Sequence, residues 1–173
     1  MRNLMKFIAV FLFVGITATV SAQTPKFGHI ELQALIQVMP ERATAETEFN
    51  KFQSDLEDVF GELQKDLQTK MAEFQQLGDS ISEIKRNAKV TEIQDMQQRI
   101  QNYQQTAQQQ MQQKQADLFK PIFAKAETAI GDVAKEKGLI YVFDVSEGGS
   151  VVLYKSLESL DLLPLVKTKL GIK

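Results

Sequence analysis

The chain has no cysteine, no tryptophan and a single histidine, His29, in 173 residues. Without cysteine there is no disulfide framework, no thiol nucleophile and no thiolate metal site. One histidine supplies neither a histidine-based metal site nor a convincing Ser-His-Asp triad. His29 stands in a strand-like run and reads as a strand residue rather than a base or ligand. No Gly-rich phosphate loop occurs, so nothing marks a nucleotide site. Positive charge is not in surplus either: 20 Lys and Arg face 22 Asp and Glu, a formal net charge of −2. Sequence-independent nucleic-acid binding needs a basic footprint that this balance does not provide.

Long apolar runs are equally scarce. One stands near the start, "FIAVFLFVGITATV", 14 residues preceded by Arg2 and Lys6 and followed by the small Ser21 and Ala22. A membrane span needs about 20 residues. A basic start, a short apolar middle and a small-residue end describe a secretory signal peptide over residues 1–22. No cysteine follows it, which excludes a lipoprotein type. The mature chain is then expected to begin at Gln23 and to work outside the cytoplasm. Loss of Arg2 and Lys6 deepens its net charge to −4.

What the chain has in quantity is helical periodicity. Outgoing, apolar residues recur at Phe49, Phe52, Leu56, Val59, Leu63, Leu67, Met71, Phe74, Leu77, Ile81 and Ile84. Returning, they recur at Ile93, Met96, Ile100, Tyr103, Ala107, Met111, Leu118, Ile122, Ala126, Ile130 and Val133. Steps of three and four are a coiled-coil seam. Eleven glutamines crowd Gln97–Gln115, yet the seam runs through them unbroken. Glutamine forms helix well, so this tract reads as polar helix faces, not as disorder.

Asn87 is a helix-stop candidate, and Thr91 with Gln94 is a capping-box pattern that restarts a helix. That places the tip of an antiparallel hairpin near 86–90, between matched arms Glu41–Lys85 and Thr91–Lys137. Gly78 is an earlier bend candidate that would leave the arms unequal. Pro121 should kink the returning arm, near where a free arm gives way to a base.

The flanks, 23–40 and 138–173, read as a β-rich body around the helical hairpin 41–137. "KFGHIEL" (Lys26–Leu32) alternates as a strand. "GLIYVFDV", "SEGG" and "SVVLY" read as a β-hairpin, and "LESLDLLPLVKTKLGIK" as a short helix with Pro164 in its first turn. The fold class is therefore α+β, a long helical hairpin on a small β-rich body. In "LIYVFDV" both alternating faces are apolar, so the strand must be covered on both sides. A lone small sheet is marginal in water. Association of identical bases with closed symmetry is the remedy. The expected oligomer core is Phe27, Ile30, Leu139, Ile140, Tyr141, Val142, Phe143, Val151, Val152 and Leu153.

Signal, strand, helical hairpin, β-hairpin and terminal helix, in that order, resemble the Skp/OmpH family of periplasmic chaperones. The residues that carry the likeness are "FGHIEL", "LQTKMAEFQQL" (Leu67–Leu77), "GLIYVFDVSEGGSVVLYKS" and "DLLPLVKTKL". The resemblance implies a periplasmic homotrimer whose helical tentacles enclose a cavity. It implies that unfolded outer-membrane proteins are held there without ATP, cofactor or catalytic residues. The best-known members are basic, with positive tips and a proposed lipopolysaccharide-binding cluster. Here 41–137 holds 17 acidic against 13 basic residues. The acidic balance therefore puts lipopolysaccharide or membrane contact in question here and leaves it open.

For client contact the adaptable side chains Met71, Phe74, Leu77, Met96 and Met111 are the candidates, with Lys85, Arg86 and Lys89 as a local basic tip. At these spacings the apolar five also serve as seam residues. A different reading of the same pattern is an exported coiled-coil spacer of the cell envelope. Enzymatic function ranks last, since a coiled coil offers no concave pocket and its carboxylates read as solvated faces.

Overall fold

The computed structural model describes residues 26–78, 81–148 and 151–172. The expected signal peptide, 1–22, lies outside the described residues. Strand β1 (Phe27–Ile30) leads into helix α1 (Leu32–Val38), then α2 (Pro40–Gln76) and α3 (Glu83–Lys137). Strands β2 (Tyr141–Asp144) and β3 (Leu160–Asp161) follow, and helix α4 (Leu163–Lys169) closes the chain.

Helix α1 is an element the sequence pattern did not separate. Met39 is extended, and Pro40 takes the first turn of α2. A residue before proline avoids the helical region, while proline suits a helix start, so α1 stops and α2 begins anew.

The two long helices are antiparallel, and three inter-arm ion pairs mark their register. Lys70–Glu92, Lys89–Glu73 and Lys114–Glu48 are all centred on Ile81. The bend therefore lies between Gln76 and Glu83, with Gly78 at φ 57°. This corrects the tip expected at 86–90. Asn87 and Thr91 lie inside α3, where Thr91 Oγ1 donates to the Asn87 carbonyl at 3.0 Å. The capping pattern is there, but glycine's access to left-handed φ, fixed by the inter-arm register, places the turn earlier.

The arms are unequal, 37 and 55 residues, about 55 and 80 Å long. The physical reason lies in the body. Beyond Pro121, α3 outruns the start of α2 and becomes a core helix, burying Ile122, Ala126, Ala129 and Val133. α3 continues through Pro121. It ends where expected: Gly138 takes φ 64°, and the Gly138 and Leu139 N–H groups bond the Lys135 and Ala134 carbonyls.

The sheet has the order β2-β1-β3, and both pairings are parallel. This corrects the expected β-hairpin. β2 pairs with β1 in the register Phe27 to Tyr141 through Ile30 to Asp144. Only a short β3 follows, and 151–156 form no strand. The β1–β2 pairing brings Ile30, Leu139 and Val142 onto a core with Leu35, Met39 and Val166. A local 141–154 hairpin would have to bury its apolar residues some other way. Gly28 permits this closeness, since a Cβ there would overlap Leu162 Cδ1 and lie 2.7 Å from Leu139 Cδ1. Helix α4, with Pro164 in its first turn as expected, buries Val166, and Lys169 pairs with Glu136 at 2.6 Å.

Candidate functional site

Along the arms the seam is only partly closed. Ala45 and Leu63 are the buried residues of α2, and the next ones on the facing helix begin at Ile122. Met71 and Leu77 are 41 % and 37 % exposed, while Phe74, Met96 and Met111 are half-buried. These five candidates therefore sit at the seam and face solvent together.

The tip cations behave differently from one another. Lys85 is exposed. Arg86 Nη2 donates to the Gly78 carbonyl at 3.2 Å, which ties α3 to the turn. Lys89 Nζ donates to Glu92 Oε2 at 3.1 Å and lies 3.6 Å from Glu73 Oε2. Hydrogen bonds from Lys70, then Lys89, hold the Glu92 carboxyl below the usual carboxylate range. Glu92 in turn raises the Lys89 ammonium, with Glu73 adding to it. Arg86 and Lys89 thus fasten the hairpin. Beside them the surface is apolar: Ile84 is 83 % exposed, and Leu77, Ile81 and Ala88 line a shallow cavity.

Midway along the arms lies a groove of about 450 Å³. Its floor is Phe49, Leu56 and Phe60 from α2 with Tyr103, Ala107 and Met111 from α3. The Phe60 and Tyr103 rings stack with centroids 6.5 Å apart. Tyr103 Oη donates to the Leu56 carbonyl at 3.0 Å. Of these residues only Met111 stood among the sequence candidates. The signal for the groove was Ala107, a small side chain at a seam position whose neighbours are large.

In the body, the residues expected to join copies divide. Ile30 is buried in the chain's own core, with Leu139 and Val142 packed against it. Phe27, Ile140, Tyr141 and Phe143 are exposed, and Phe27, Tyr141 and Phe143 form a ring cluster with centroids 5.9–6.4 Å apart. Val151 and Leu153 are almost wholly exposed, and Val152 is half-buried. His29 Nδ1 lies 3.0 Å from Ser159 Oγ on the same face of the sheet as Phe27 and Phe143.

Among the described residues there is no His, Cys, Asp and Glu group fit to hold a metal. No helix among them is long and apolar enough to cross a membrane. The class these features define is an arm-and-body protein, an open two-helix hairpin standing on a small sheet covered by helices.

The family model described as Outer membrane protein (OmpH-like) matches residues 26–170, and the chain belongs to that family. The family is periplasmic and non-enzymatic, and its kind of function is that of a chaperone binding outer-membrane proteins. No curated protein matches the chain.

Proposed function

We propose that the protein is an ATP-independent periplasmic holdase that cages unfolded outer-membrane proteins between its helical arms. In this reading residues 1–22 direct export, and three copies join through the exposed face of Phe27, Ile140, Tyr141, Phe143, Val151 and Leu153. Three projecting hairpins then enclose a cavity. The observation that carries the reading is the half-open seam, an arm that leaves its own apolar residues in contact with solvent over most of its length. An unfolded barrel strand exposes apolar side chains and unpaired backbone groups. Many weak contacts with methionine, phenylalanine and glutamine hold such a chain and still release it.

The test is light scattering from a urea-denatured outer-membrane barrel protein diluted into buffer with a stoichiometric amount of the mature protein and no nucleotide. A holdase keeps scattering at baseline. An envelope spacer leaves the barrel protein precipitating, and that outcome would replace this reading.

A further inference from the structure

We infer that the mid-arm groove is a strand-reading subsite, which seats one extended, uncharged segment of the client with alternating apolar and polar side chains. The inference rests on the holdase reading and adds to it a place on the arm and a chemistry of recognition.

The groove is held open rather than collapsed. Ala107 leaves a gap at a seam position whose neighbours on α3 are Tyr103 and Met111. Tyr103 cannot swing in to fill it, because its hydroxyl is bonded to the Leu56 carbonyl and its ring is stacked on Phe60. Gln104, Gln108 and Gln112, all exposed, line one wall, and Gln53 and Glu57 stand on the other.

Charge decides what fits. From Ile100 to Gln113 the returning arm carries no acidic or basic residue. The one carboxylate at the groove, Glu57, already accepts a hydrogen bond from Gln53 Nε2 at 2.8 Å. An anionic segment would leave water here with no counter-charge and beside Glu57, and a cationic one would meet a single carboxylate already bonded by Gln53, whereas a neutral segment carries no such cost. Glutamine also carries both a carbonyl acceptor and amide donors, so one row of it can meet both the N–H and the C=O groups of an unpaired strand. A third helix would offer no free backbone groups for that row to meet.

Spacing points the same way. Tyr103, Ala107 and Met111, and beside them Gln104, Gln108 and Gln112, repeat every four residues, about 6 Å along the helix. Side chains on one face of a strand repeat about every 6.7 Å. A strand laid along the groove therefore presents close to one apolar side chain per helical turn. Membrane strands of outer-membrane barrels have this alternation over about 10 residues.

The experiment uses the mature, assembled protein and a fluorophore-tagged peptide of about 10 residues in which valine alternates with threonine. Its control is a peptide of the same composition with the valines blocked together. Two triple variants are compared. Q104E/Q108E/Q112E charges the groove wall. N102E/T106E/Q109E adds the same charge at exposed positions on the opposite side of α3. Glutamate forms helix at least as well as the residues it replaces, so both variants keep the helix, which circular dichroism checks.

The expected result is that the alternating peptide binds better than the blocked one. The groove triple should weaken it by about tenfold and the opposite triple by less than about twofold. Wild-type affinity should also change by less than about twofold between roughly 0.05 and 0.5 M salt. Equal effects of the two triples, or a tenfold loss with salt alone, would overturn the inference and move recognition to the tip. A lower solution mass for the groove triple would assign the groove to a second copy and overturn it too. If wild type and both triples all keep a full-length client soluble with equal strength, only the subsite falls. If wild type fails to do so, the holdase reading itself falls.

Discussion

Asp144 closes β2 and caps α1 at once. Its Oδ1 accepts hydrogen bonds from the Leu32 N–H at 3.2 Å, the Ser146 N–H at 2.9 Å and the Ser146 hydroxyl at 2.6 Å. Ser146 Oγ accepts from the Gln33 N–H at 3.1 Å, so the first turn of α1 is capped from a segment more than a hundred residues away. Partial burial works to raise the Asp144 carboxyl, but the bonds from Ser146 and Leu32 outweigh it and hold it below the usual range. A depressed carboxyl stabilises the fold above its unfolded pKa of about 3.9 and loses that contribution as pH falls through the folded value. D144A should cost the body about 1 kcal/mol at neutral pH. In thermal melts, its gap from wild type should stay constant down to about pH 4 and close below that. Also at this scale, Y103F should lower arm stability by about 0.5–1.5 kcal/mol, read by urea unfolding, because the Leu56 carbonyl loses its side-chain donor.

Among the elements, the hairpin was legible in the sequence as two helices and misjudged in its turn. The three- and four-residue steps of the seam are a local signal, and α2 and α3 follow them. The turn is not local. Asn87 and Thr91 carry plausible stop and start chemistry, yet the facing seams meet in a register that the Lys70–Glu92, Lys89–Glu73 and Lys114–Glu48 pairs mark as centred on Ile81. The matched-arm argument failed for the same reason, since the last turns of α3 belong to the body. G78A should destabilise the hairpin by about 1–2 kcal/mol, because alanine resists the left-handed conformation there. N87A, well inside α3, should change stability by less than about 0.5 kcal/mol. Hydrogen exchange at the arm ends separates the two. Equal effects would return the turn to 86–90.

For the whole molecule, the exposed ring cluster of Phe27, Tyr141 and Phe143 is the feature that stands outside the chain's own core. A contiguous apolar patch of this kind marks an interaction surface. In the proposed assembly, a charge placed there should separate the copies while leaving each chain folded, since Tyr141 is 63 % exposed and outside the chain's own core. Y141R should therefore bring the solution mass, by light scattering after size exclusion, down to a single chain with helicity intact. An unchanged mass would move the joining surface elsewhere. The same variant should lose client protection at equal chain concentration, because a lone hairpin encloses nothing.

Features that depend on near neighbours can be read along the chain alone. The helical period, the glutamine tract as helix, the stop at Gly138 and the start of α4 at Pro164 all follow from side chains within a turn or two of one another. The tertiary structure decided what depends on distant partners. It chose β1 rather than 151–154 as the neighbour of β2, the bend at Gly78, the recruitment of 122–133 into the body, and the groove that Ala107 leaves open. A short apolar run carries no record of which strand it will meet. Pairing is selected by the core it completes, and that core is built from residues far apart in the chain.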